Sequence, residues 1–439
     1  MRFRARYRRP VNREIRRKVF YREKVKIMKY GLIGKTLKHS FSKEIHEKIG
    51  DYEYELCPMD ESELAKFFTE KNFLGVNVTI PYKKAVIPYL DYVSDGAKKI
   101  GAVNTVVNVN GVLKGYNTDY FGAKELIDKA GVSVKGKTAL ILGTGGTSDT
   151  LNAVLTGLGA KTVLKVSRTP SAGQISYDLA VKDYNFADII VNTTPKGMYP
   201  YTDETPVDLN AFNNLSGVID VIYNPLNTRL ILAAREKGIP AAGGLYMLAS
   251  QAVHAYGLFS GGTVTQELTE KVYRSVKCEK QNVVLTGMPS SGKSTIGKLI
   301  AKKLGRPFYD TDDLIEERAG EKIPKIFEEK GEKYFRLLET EAIKSVSDKT
   351  GAVIATGGGA PTVKENVTEL KKNGKIIFID RSPDKLTPTD GRPLSRDIES
   401  LKKRYKERYP VYLATADAVV KNDESVYAAI DKILKEAEK

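Results

Sequence analysis

The chain has 439 residues, more than one ordinary hydrophobic core can serve, so two to four domains are expected. Its composition, 41% hydrophobic and 28% charged, fits a water-soluble globular protein, and no apolar run approaches the roughly 18 residues that a membrane-spanning helix needs. Two separated cysteines and three scattered histidines argue against a disulfide framework and a zinc site, and they predict a reducing, cytoplasmic location.

The net charge of +16 is concentrated at the start of the chain. Residues 1–27 hold twelve basic side chains against Glu14 and Glu23, so they contribute +10 and the remaining residues +6. The segment has neither the apolar stretch of a secretory signal nor the Ser and Thr of a transit peptide. We expect a disordered basic extension. A nucleic-acid-binding arm is the alternative, and salt-sensitive binding that vanishes on deletion of the segment would favour it.

Residues 28–130 alternate short apolar runs with amphipathic segments. The runs KYGLIG, YEYELC, LGVNVTI and AVNTVVNVNGVLKGYNT are predicted strands, and DESELAKFFTEK is a predicted helix. Strands that alternate with helices indicate parallel α/β sheets. The stretch is therefore predicted to form a small α/β domain.

Polar side chains follow several of these strands. Ser40 and Ser42, after the first strand, are either two hydroxyls offered to one small ligand or ordinary turn and cap residues. Lys83 and Asp119 are a candidate acid/base pair, because the carboxylate can hold the ammonium in place and tune its proton affinity. Surface solvation is the alternative for a lone lysine. The other polar residues near these strand ends are Asn77, Thr79, Asn104 and Asn117.

The stretch TALILGTGGTSDT, residues 138–150, runs from a predicted strand through a glycine-rich turn into a predicted helix. Gly143, Gly145 and Gly146 give half of a dinucleotide-binding fingerprint. Asp149, at the start of the helix, suits the helix dipole but would repel a nearby phosphate. The turn predicts a cofactor loop with an unfavourable charge beside it.

The predicted strand after this loop, TVLKVSR, indicates which cofactor is used. An NAD site usually places Asp or Glu at the end of this strand to bind the ribose hydroxyls. Arg168 stands there instead and suits the 2′-phosphate of NADP, while Ser167 and Thr169 can add hydrogen bonds. With further strands predicted at ADIIVNTTP and GVIDVIYNP, residues 131–244 are expected to form a Rossmann-like NADP-binding domain.

The first half of the chain resembles shikimate dehydrogenase over residues 28–275. NVTIPYK, GAVNT and NTD carry the resemblance together with GLYMLASQAVHAYGLFSG. It implies that residues 28–130, closed by a helical segment at 245–275, bind 3-dehydroshikimate, and that NADPH is the reductant. It also implies that Lys83 is the general acid/base at the C3 carbonyl, with Asp119 as its partner. The implied substrate-site residues are Ser40, Ser42, Thr79, Asn104, Asp119, Tyr223, Gly244 and Gln251.

A linker is predicted at residues 274–281, and the following stretch NVVLTGMPSSGKST contains an intact phosphate-binding loop. Its backbone N–H groups can wrap phosphate, Lys293 can neutralise the β- and γ-phosphates of ATP, and Ser294 can ligate Mg²⁺. Downstream, Asp310 and Asp312 stand two apart at a predicted strand end, which places both carboxylates on one face. One can hold a metal and the other an acceptor hydroxyl, although capping of the next helix would use one of them. The nucleotide-binding residues of the loop are Gly287, Gly292, Lys293, Ser294 and Thr295.

Residues 281–439 resemble shikimate kinase, because the loop is followed in order by FYDTDD, GEKYFRLLE, VIATGGGA, DGRPLS and KERYPVY. The resemblance implies a P-loop domain with a parallel sheet over 282–439. Asp312 would bind shikimate hydroxyls and assist proton removal, Arg336 and Arg408 would clamp its carboxylate, and Gly358 and Gly359 would close on it. Asp310 would support Mg²⁺. Arg392 would act from a lid, where Lys385 stands at a position that is often arginine.

The two resemblances together predict a bifunctional α/β enzyme that reduces 3-dehydroshikimate with NADPH and then phosphorylates shikimate with MgATP. One alternative is that one half has decayed into a binding or regulatory module. Another is a first half that oxidises quinate with NAD. The sequence leaves monomer and dimer both open, and it leaves open whether shikimate passes directly between the halves.

Overall fold

The computed structural model describes residues 28–37, 40–387 and 397–438. Both the basic segment 1–27 and Arg392 lie outside this part of the chain. Inside it the chain forms three successive α/β units, each built on its own sheet, which confirms the predicted fold class. No helix of the described residues is long and apolar enough to cross a membrane.

The first unit carries the predicted substrate residues. Its strands are β1 (Met28–Gly34), β2 (Tyr54–Pro58), β3 (Phe73–Val78), β4 (Tyr92–Val93), β5 (Thr105–Val109) and β6 (Val112–Tyr116). Its helices are α1 (Ser42–Ile49), α2 (Glu61–Glu70), α3 (Asp95–Ile100) and α4 (Asp119–Ala130). The strand order is β2-β1-β3-β5-β6-β4.

The expectation of a parallel sheet is wrong for part of this unit. β1 pairs in parallel with β2 and β3, but β5 runs antiparallel to β3 and to β6. The single predicted strand AVNTVVNVNGVLKGYNT folds back on itself at Asn110 and Gly111, which have φ values of 51° and 86°. Two consecutive left-handed residues of type Asn-Gly make the tight turn of a β-hairpin.

The second unit has a fully parallel sheet of six strands in the order β12-β11-β10-β7-β8-β9. These strands are β7 (Thr138–Leu142), β8 (Thr162–Ser167), β9 (Gln174–Ser176), β10 (Ile189–Asn192), β11 (Gly217–Asp220) and β12 (Ala241–Ala242). Its helices are α5 (Gly146–Gly157), α6 (Tyr177–Asp183) and α7 (Arg229–Glu236). The order is that of a dinucleotide-binding sheet, whose switch point lies at the carboxyl ends of β7 and β10.

Two helices, α8 (Leu245–Ser260) and α9 (Gln266–Lys280), follow the second sheet. α8 packs against α1 and α4 of the first unit, as expected for the helical segment predicted to close that domain. The predicted boundary after residue 130 follows α4, yet α4 packs its apolar face into the core of the second sheet. The predicted linker at 274–281 is helical as far as Lys280, and Asn282 begins the next strand, so the connection between the halves is the end of α9.

The third unit has a parallel sheet in the order β14-β15-β13-β16-β17. Its strands are β13 (Asn282–Thr286), β14 (Phe308–Asp310), β15 (Val353–Ala355), β16 (Gly374–Asp380) and β17 (Ala418–Lys421). Its helices are α10 (Lys293–Leu304), α11 (Thr311–Ala319), α12 (Ile323–Ser347, interrupted at Gly331), α13 (Lys364–Asn373), α14 (Ile398–Thr415) and α15 (Val426–Ala437). β13 is buried along its whole length, as expected for a central parallel strand.

The second and third units meet where α7 faces α13. Lys372 is 1% exposed at its side chain, and its ammonium lies 2.6 Å from Asp203 and 2.9 Å from Glu369. Arg229 of α7 pairs with the same two carboxylates, at 3.1 and 2.5 Å. Because buried charges are tolerated only when they are paired, this network holds the two units in one arrangement.

Candidate active sites

The predicted acid/base pair forms in the structure. Lys83 Nζ lies 2.6 Å from Asp119 Oδ2, and the two side chains are 13% and 9% exposed. The same Nζ lies 3.5 Å from Thr147 Oγ1 in the glycine loop. Lys83 therefore stands between the carboxylate at the start of α4 and the loop predicted to hold the cofactor.

A buried amide network fixes the polar floor beside this pair. Asn104 Nδ2 donates to Thr118 Oγ1 at 3.0 Å and to Gln251 Oε1 at 3.4 Å. The backbone N–H of Thr118 donates to Asn104 Oδ1 at 2.7 Å. Since Thr118 immediately precedes Asp119, the structure joins Asn104 and Gln251 of the predicted set to the acid/base pair. Thr118 was missed in the sequence, although it lies inside the NTD motif.

The two predicted serines lie together at the start of α1. Ser40 Oγ donates to Ser42 Oγ at 3.1 Å and accepts the backbone N–H of Ser42 at 3.2 Å. Burial raises the pKa of Tyr223, and the nearby Ser40 hydroxyl partly offsets the rise. Gly244 begins the turn into α8 so close to the backbone that an added Cβ would lie 2.0 Å from the Val221 carbonyl oxygen.

Thr79, Asn77 and Asn117 are the remaining polar residues near the strand ends of the first unit. Thr79 is half-buried just beyond β3, with its methyl group against Gly34. Asn77 accepts from the Tyr54 hydroxyl at 2.7 Å, and Asn117 donates to the Ala102 carbonyl at 3.0 Å. Asn117 also donates to Thr150 Oγ1 of α5 at 3.3 Å, so both amides have structural partners, and Asn117 links the first unit to the second.

The glycine loop opens at the switch point of the second sheet. Gly143 has φ +108°, and a Cβ there would lie 2.7 Å from Thr193 Oγ1, so only glycine fits. Gly145 is the N-cap of α5 and Gly146 is its first residue. A helix N-terminus with bare backbone at this place suits a pyrophosphate group.

Asp149 does not face the loop as an unpaired charge. Lys84 Nζ lies 2.7 Å from Asp149 Oδ2, and Lys165 of β8 pairs with Oδ1 of the same carboxylate. The repulsion of a phosphate expected from Asp149 is therefore reduced, because two ammonium groups pair with this carboxylate. Neither partner could be identified from the sequence, since they come from the first unit and from a neighbouring strand.

Arg168 is exposed at the end of β8, beside Tyr177, where its charge lowers the tyrosine pKa against the rise caused by burial. Within the described part of the chain, no carboxylate lies within 4 Å of its guanidinium. Ser167 Oγ accepts the backbone N–H of Thr169 at 3.2 Å, which shapes the turn after the strand. These three residues occupy the place predicted for the ribose 2′-phosphate.

The phosphate-binding loop of the third unit joins β13 to α10. Lys293 is buried at the start of α10 and donates to the carbonyls of Gly287 and Met288, at 3.0 and 2.8 Å. Asn422 Nδ2 donates to the Ser291 carbonyl at 2.9 Å and so supports the loop from outside the motif. Thr295 lies exposed in the first turn of α10.

Ser294 and Asp310 form a pair of oxygen groups beside this loop. Ser294 Oγ donates to Asp310 Oδ2 at 2.6 Å, and Asp310 Oδ1 accepts the backbone N–H of Asp312 as the N-cap of α11. No cluster of three His, Cys, Asp or Glu side chains that could hold a metal occurs among the described residues. A hydroxyl and one carboxylate suit Mg²⁺, which takes most of its ligands from water and phosphate.

The predicted shikimate residues of the third unit surround residues 357–359. An added Cβ on Gly359 would lie 2.2 Å from Arg336 Nη1, and one on Gly357 would lie 2.7 Å from Asp312 Oδ1. Arg408 Nη1 donates to the Gly358 carbonyl at 3.0 Å. The glycines are therefore required by close approach, and they bring the aspartate and both arginines to one place.

Two charged residues of this site were missed in the sequence. Glu339 is fully buried and lies 2.8 Å from Arg336 Nη1, and burial raises its pKa while Arg336 opposes the rise. Arg404 lies one turn before Arg408 on α14, and burial and the Arg408 charge lower its pKa. Helical spacing could have indicated both residues, because Glu339 follows Arg336 by three positions and Arg404 precedes Arg408 by four.

Lys385, predicted to contact nucleotide from a lid, donates to the Asp423 carbonyl at 2.6 Å. Just after it, the Thr387 carbonyl accepts from Ser290 Oγ of the phosphate-binding loop at 2.6 Å. Residues 385–387 therefore contact the phosphate-binding loop. Arg392, further along the chain, lies outside the described residues.

The fold and these two sites define an enzyme with two separate nucleotide-binding centres on one chain, one of dinucleotide type and one of P-loop type. The sequence model of the shikimate dehydrogenase substrate binding domain matches residues 32–106, and that of shikimate kinase matches residues 289–438. The chain belongs to the shikimate dehydrogenase family and carries a shikimate kinase domain after it.

Individual relatives agree with this assignment. A shikimate dehydrogenase (NADP(+)) of Clostridium beijerinckii is 36% identical over 259 residues, which are 56% of this chain and 96% of the relative. The crystal structure of a chorismate mutase/shikimate 5-dehydrogenase fusion protein from Clostridium acetobutylicum has a TM-score of 0.54 at 34% identity and covers 57% of this chain and 97% of its own. Shikimate dehydrogenase 1 from Peptoclostridium difficile gives 0.53 at 32% identity with the same coverages.

Proposed function

We propose that the chain reduces 3-dehydroshikimate to shikimate with NADPH and phosphorylates the shikimate 3-hydroxyl with MgATP. The contact of Lys83 with both Asp119 and the glycine loop carries the first activity, because it places a proton donor beside the cofactor loop. The grouping of Asp312, Arg336 and Arg408 around residues 357–359 supports the second.

In the reductase site, Lys83 Nζ donates its proton to the oxygen of the C3 carbonyl as that oxygen gains negative charge. Bound NADPH supplies the hydride to the carbonyl carbon. Asp119 lies 2.6 Å from the ammonium and orients it in a largely buried place. Ser40, Ser42, Thr79, Asn104 and Gln251 are proposed to bind the hydroxyl and carboxylate groups of the substrate, with Tyr223 and Gly244 at the edge of the site.

The preference for NADPH is proposed to rest on Arg168, whose guanidinium is exposed and has no carboxylate within 4 Å in the described chain. A charge-assisted pair with the 2′-phosphate is worth roughly 1.5–3 kcal/mol. Arg168→Ala is therefore expected to raise the KM for NADPH at least tenfold and to leave the KM for NADH nearly unchanged. An equal rise for both cofactors would contradict this role.

In the kinase site, Asp312 is proposed to accept the proton of the attacking shikimate hydroxyl while Arg336 and Arg408 hold the carboxylate in bidentate contacts. Lys293 would exchange its loop carbonyls for phosphate oxygens, and Lys385 is proposed to contact the nucleotide from the lid side. Arg392 lies outside the described residues, and its proposed role on the lid rests on the sequence resemblance alone. Ser294 and Asp310 would hold Mg²⁺, which supplies charge neutralisation at the transferring phosphate.

The direct test is to assay the purified chain for both reactions. NADPH oxidation with 3-dehydroshikimate is followed first, NADH is compared, and ATP is then added to the product. We expect rapid reaction with NADPH, a much higher KM with NADH, and ATP-dependent formation of a shikimate phosphate. Absence of turnover in either half, with binding retained, would favour the decayed-module alternative. Faster turnover of quinate with NAD would favour the alternative in which the first half oxidises quinate.

A further inference from the structure

A cleft of about 740 Å³ lies between the dehydrogenase half and the kinase half. One wall comes from α4, α7, α8 and α9, and the other from α13, the start of β16 and the end of α14. Because both halves build its walls, this interdomain cleft exists only in the joined chain. None of its lining residues belongs to the sets placed in the two active sites.

The interdomain cleft carries an excess of positive charge. Its acidic lining residues are Glu236 and Asp417. Its basic lining residues are Lys129, Arg235, Lys277, Lys364, Lys371 and Lys375. Lining cations therefore outnumber lining carboxylates by six to two.

Some of these cations have acidic partners. Lys129 pairs with Glu270 at 2.9 Å, Lys364 with Glu236 at 2.9 Å, and Lys371 with Asp417 at 3.5 Å. These pairs account for both acidic lining residues. The excess charge is therefore left on the other lining cations.

Arg235 and Lys277 have no carboxylate within 4 Å anywhere in the described chain. Arg235 is exposed and donates to two neutral oxygens, Asn227 Oδ1 at 2.8 Å and the Ala241 carbonyl at 3.4 Å. Lys277 is half-buried, and burial together with the charges of Lys375, Arg235 and Lys129 lowers its pKa. Like charges close to the half-buried Lys277 lower the stability of the fold unless a bound anion neutralises them.

The cleft also offers aromatic and apolar surface. The rings of Tyr246 and Tyr273 line it, with Lys129 Nζ 5.3 and 5.7 Å from their centroids. A ligand that fits this wall has carbon atoms to pack against it as well as charge.

We infer that the interdomain cleft binds a small organic anion with at least two negative charges, of phosphate or carboxylate type. Its charged groups lie between Arg235 and Lys277, and its carbon skeleton packs against Tyr273. The cleft is thus a third ligand site, separate from the substrate and nucleotide sites.

The test titrates the full chain with inorganic pyrophosphate and, separately, with citrate, by calorimetry in metal-free buffer. The variants are Arg235→Ala/Lys277→Ala and the milder Lys277→Gln. The matched control is Lys271→Ala, which removes an exposed charge from the same helix as Lys277. Anion binding in the two active sites is common to all four proteins and cancels in the comparison.

We expect wild type and Lys271→Ala to bind one equivalent of at least one of the two probes. The double variant should bind that probe at least tenfold more weakly, and Lys277→Gln should also bind it more weakly than wild type. Pyrophosphate alone would identify a phosphorylated ligand, citrate alone a polycarboxylate, and both a site for either group. Retained reductase and kinase activities show that the variants are folded. Equal binding of both probes by wild type and the two cleft variants would overturn the inference.

Discussion

Lys83 Nζ lies 2.6 Å from Asp119 Oδ2 and 3.5 Å from Thr147 Oγ1, so one ammonium group touches the carboxylate of the substrate side and the loop of the cofactor side. Asp119 is the first residue of α4, and Thr147 lies in the first turn of α5. Lys83 therefore bridges the N-termini of the two helices, at the place where the proposed reductase would bring its two reactants together.

Asp119→Asn tests how much the reductase depends on this ion pair. The amide keeps the shape of the side chain but removes the charge that orients the ammonium, so kcat should fall by about tenfold to a hundredfold. The measurement is the initial rate of NADPH oxidation with 3-dehydroshikimate. Kinase activity on supplied shikimate should stay unchanged. A reductase kcat within twofold of wild type would show that Asp119 is not needed.

Lys165 is expected to support NADPH binding through Asp149. Lys165→Met leaves that carboxylate with Lys84 alone, which makes the loop more negative and should raise the KM for NADPH about two- to fivefold, as expected for one ion pair close to the protein surface. Asp149→Asn should lower the same KM. Lys161→Met, which removes an exposed charge just before β8, is the control. A change of the KM for NADPH in the same direction in Lys165→Met and Asp149→Asn would contradict this electrostatic explanation.

Glu339 is expected to position Arg336 for the substrate carboxylate. Glu339→Gln should raise the KM for shikimate about tenfold with a small change in the KM for ATP, because it leaves a partly buried guanidinium without its buried partner. Glu332→Gln is the matched control, since Glu332 pairs with the same arginine at 2.9 Å but is 53% exposed. Equal effects of the two substitutions would show that burial of Glu339 does not matter.

His46 is expected to stay neutral far below its usual pKa. Burial lowers the pKa of His46 from 6.5 to about 3, and its ring stacks on Tyr54 at 3.9 Å. The NMR shift of its ring protons should therefore not change between pH 8 and pH 5. Because the unfolded chain takes up a proton near pH 6.5 and the folded chain does not, stability should fall as pH decreases from about 6.5 towards 3, by up to about 1.4 kcal/mol per pH unit. A titration midpoint near 6.5 would contradict the burial argument.

The sequence predicted the three α/β units and the residues that lie in motifs. Motif residues such as Lys83, Asp119 and Asp312 are recognisable because backbone geometry fixes their spacing from a strand end or a glycine turn. The hairpin between β5 and β6 could also have been predicted, since Asn110 and Gly111 are a known turn signal.

The residues that escaped prediction act through contacts between distant parts of the chain. Lys84 and Lys165 neutralise Asp149 only because an extended turn of the first unit and a strand of the second meet at the loop. Glu339 carries no motif of its own, and its importance comes from complete burial beside Arg336. Such pairings require the tertiary structure, because no local propensity encodes which opposite charges will meet.

The central claim is that two independent active sites act in sequence on one chain. The measurement is conversion of 3-dehydroshikimate, with NADPH and MgATP present, by wild type, Lys83→Ala, Lys293→Ala and a mixture of the two variants. We predict that wild type and the mixture form shikimate 3-phosphate, that Lys293→Ala stops at shikimate, and that Lys83→Ala forms neither product but phosphorylates added shikimate. Loss of both activities in each single variant, or failure of the mixture to form the phosphate, would contradict the account.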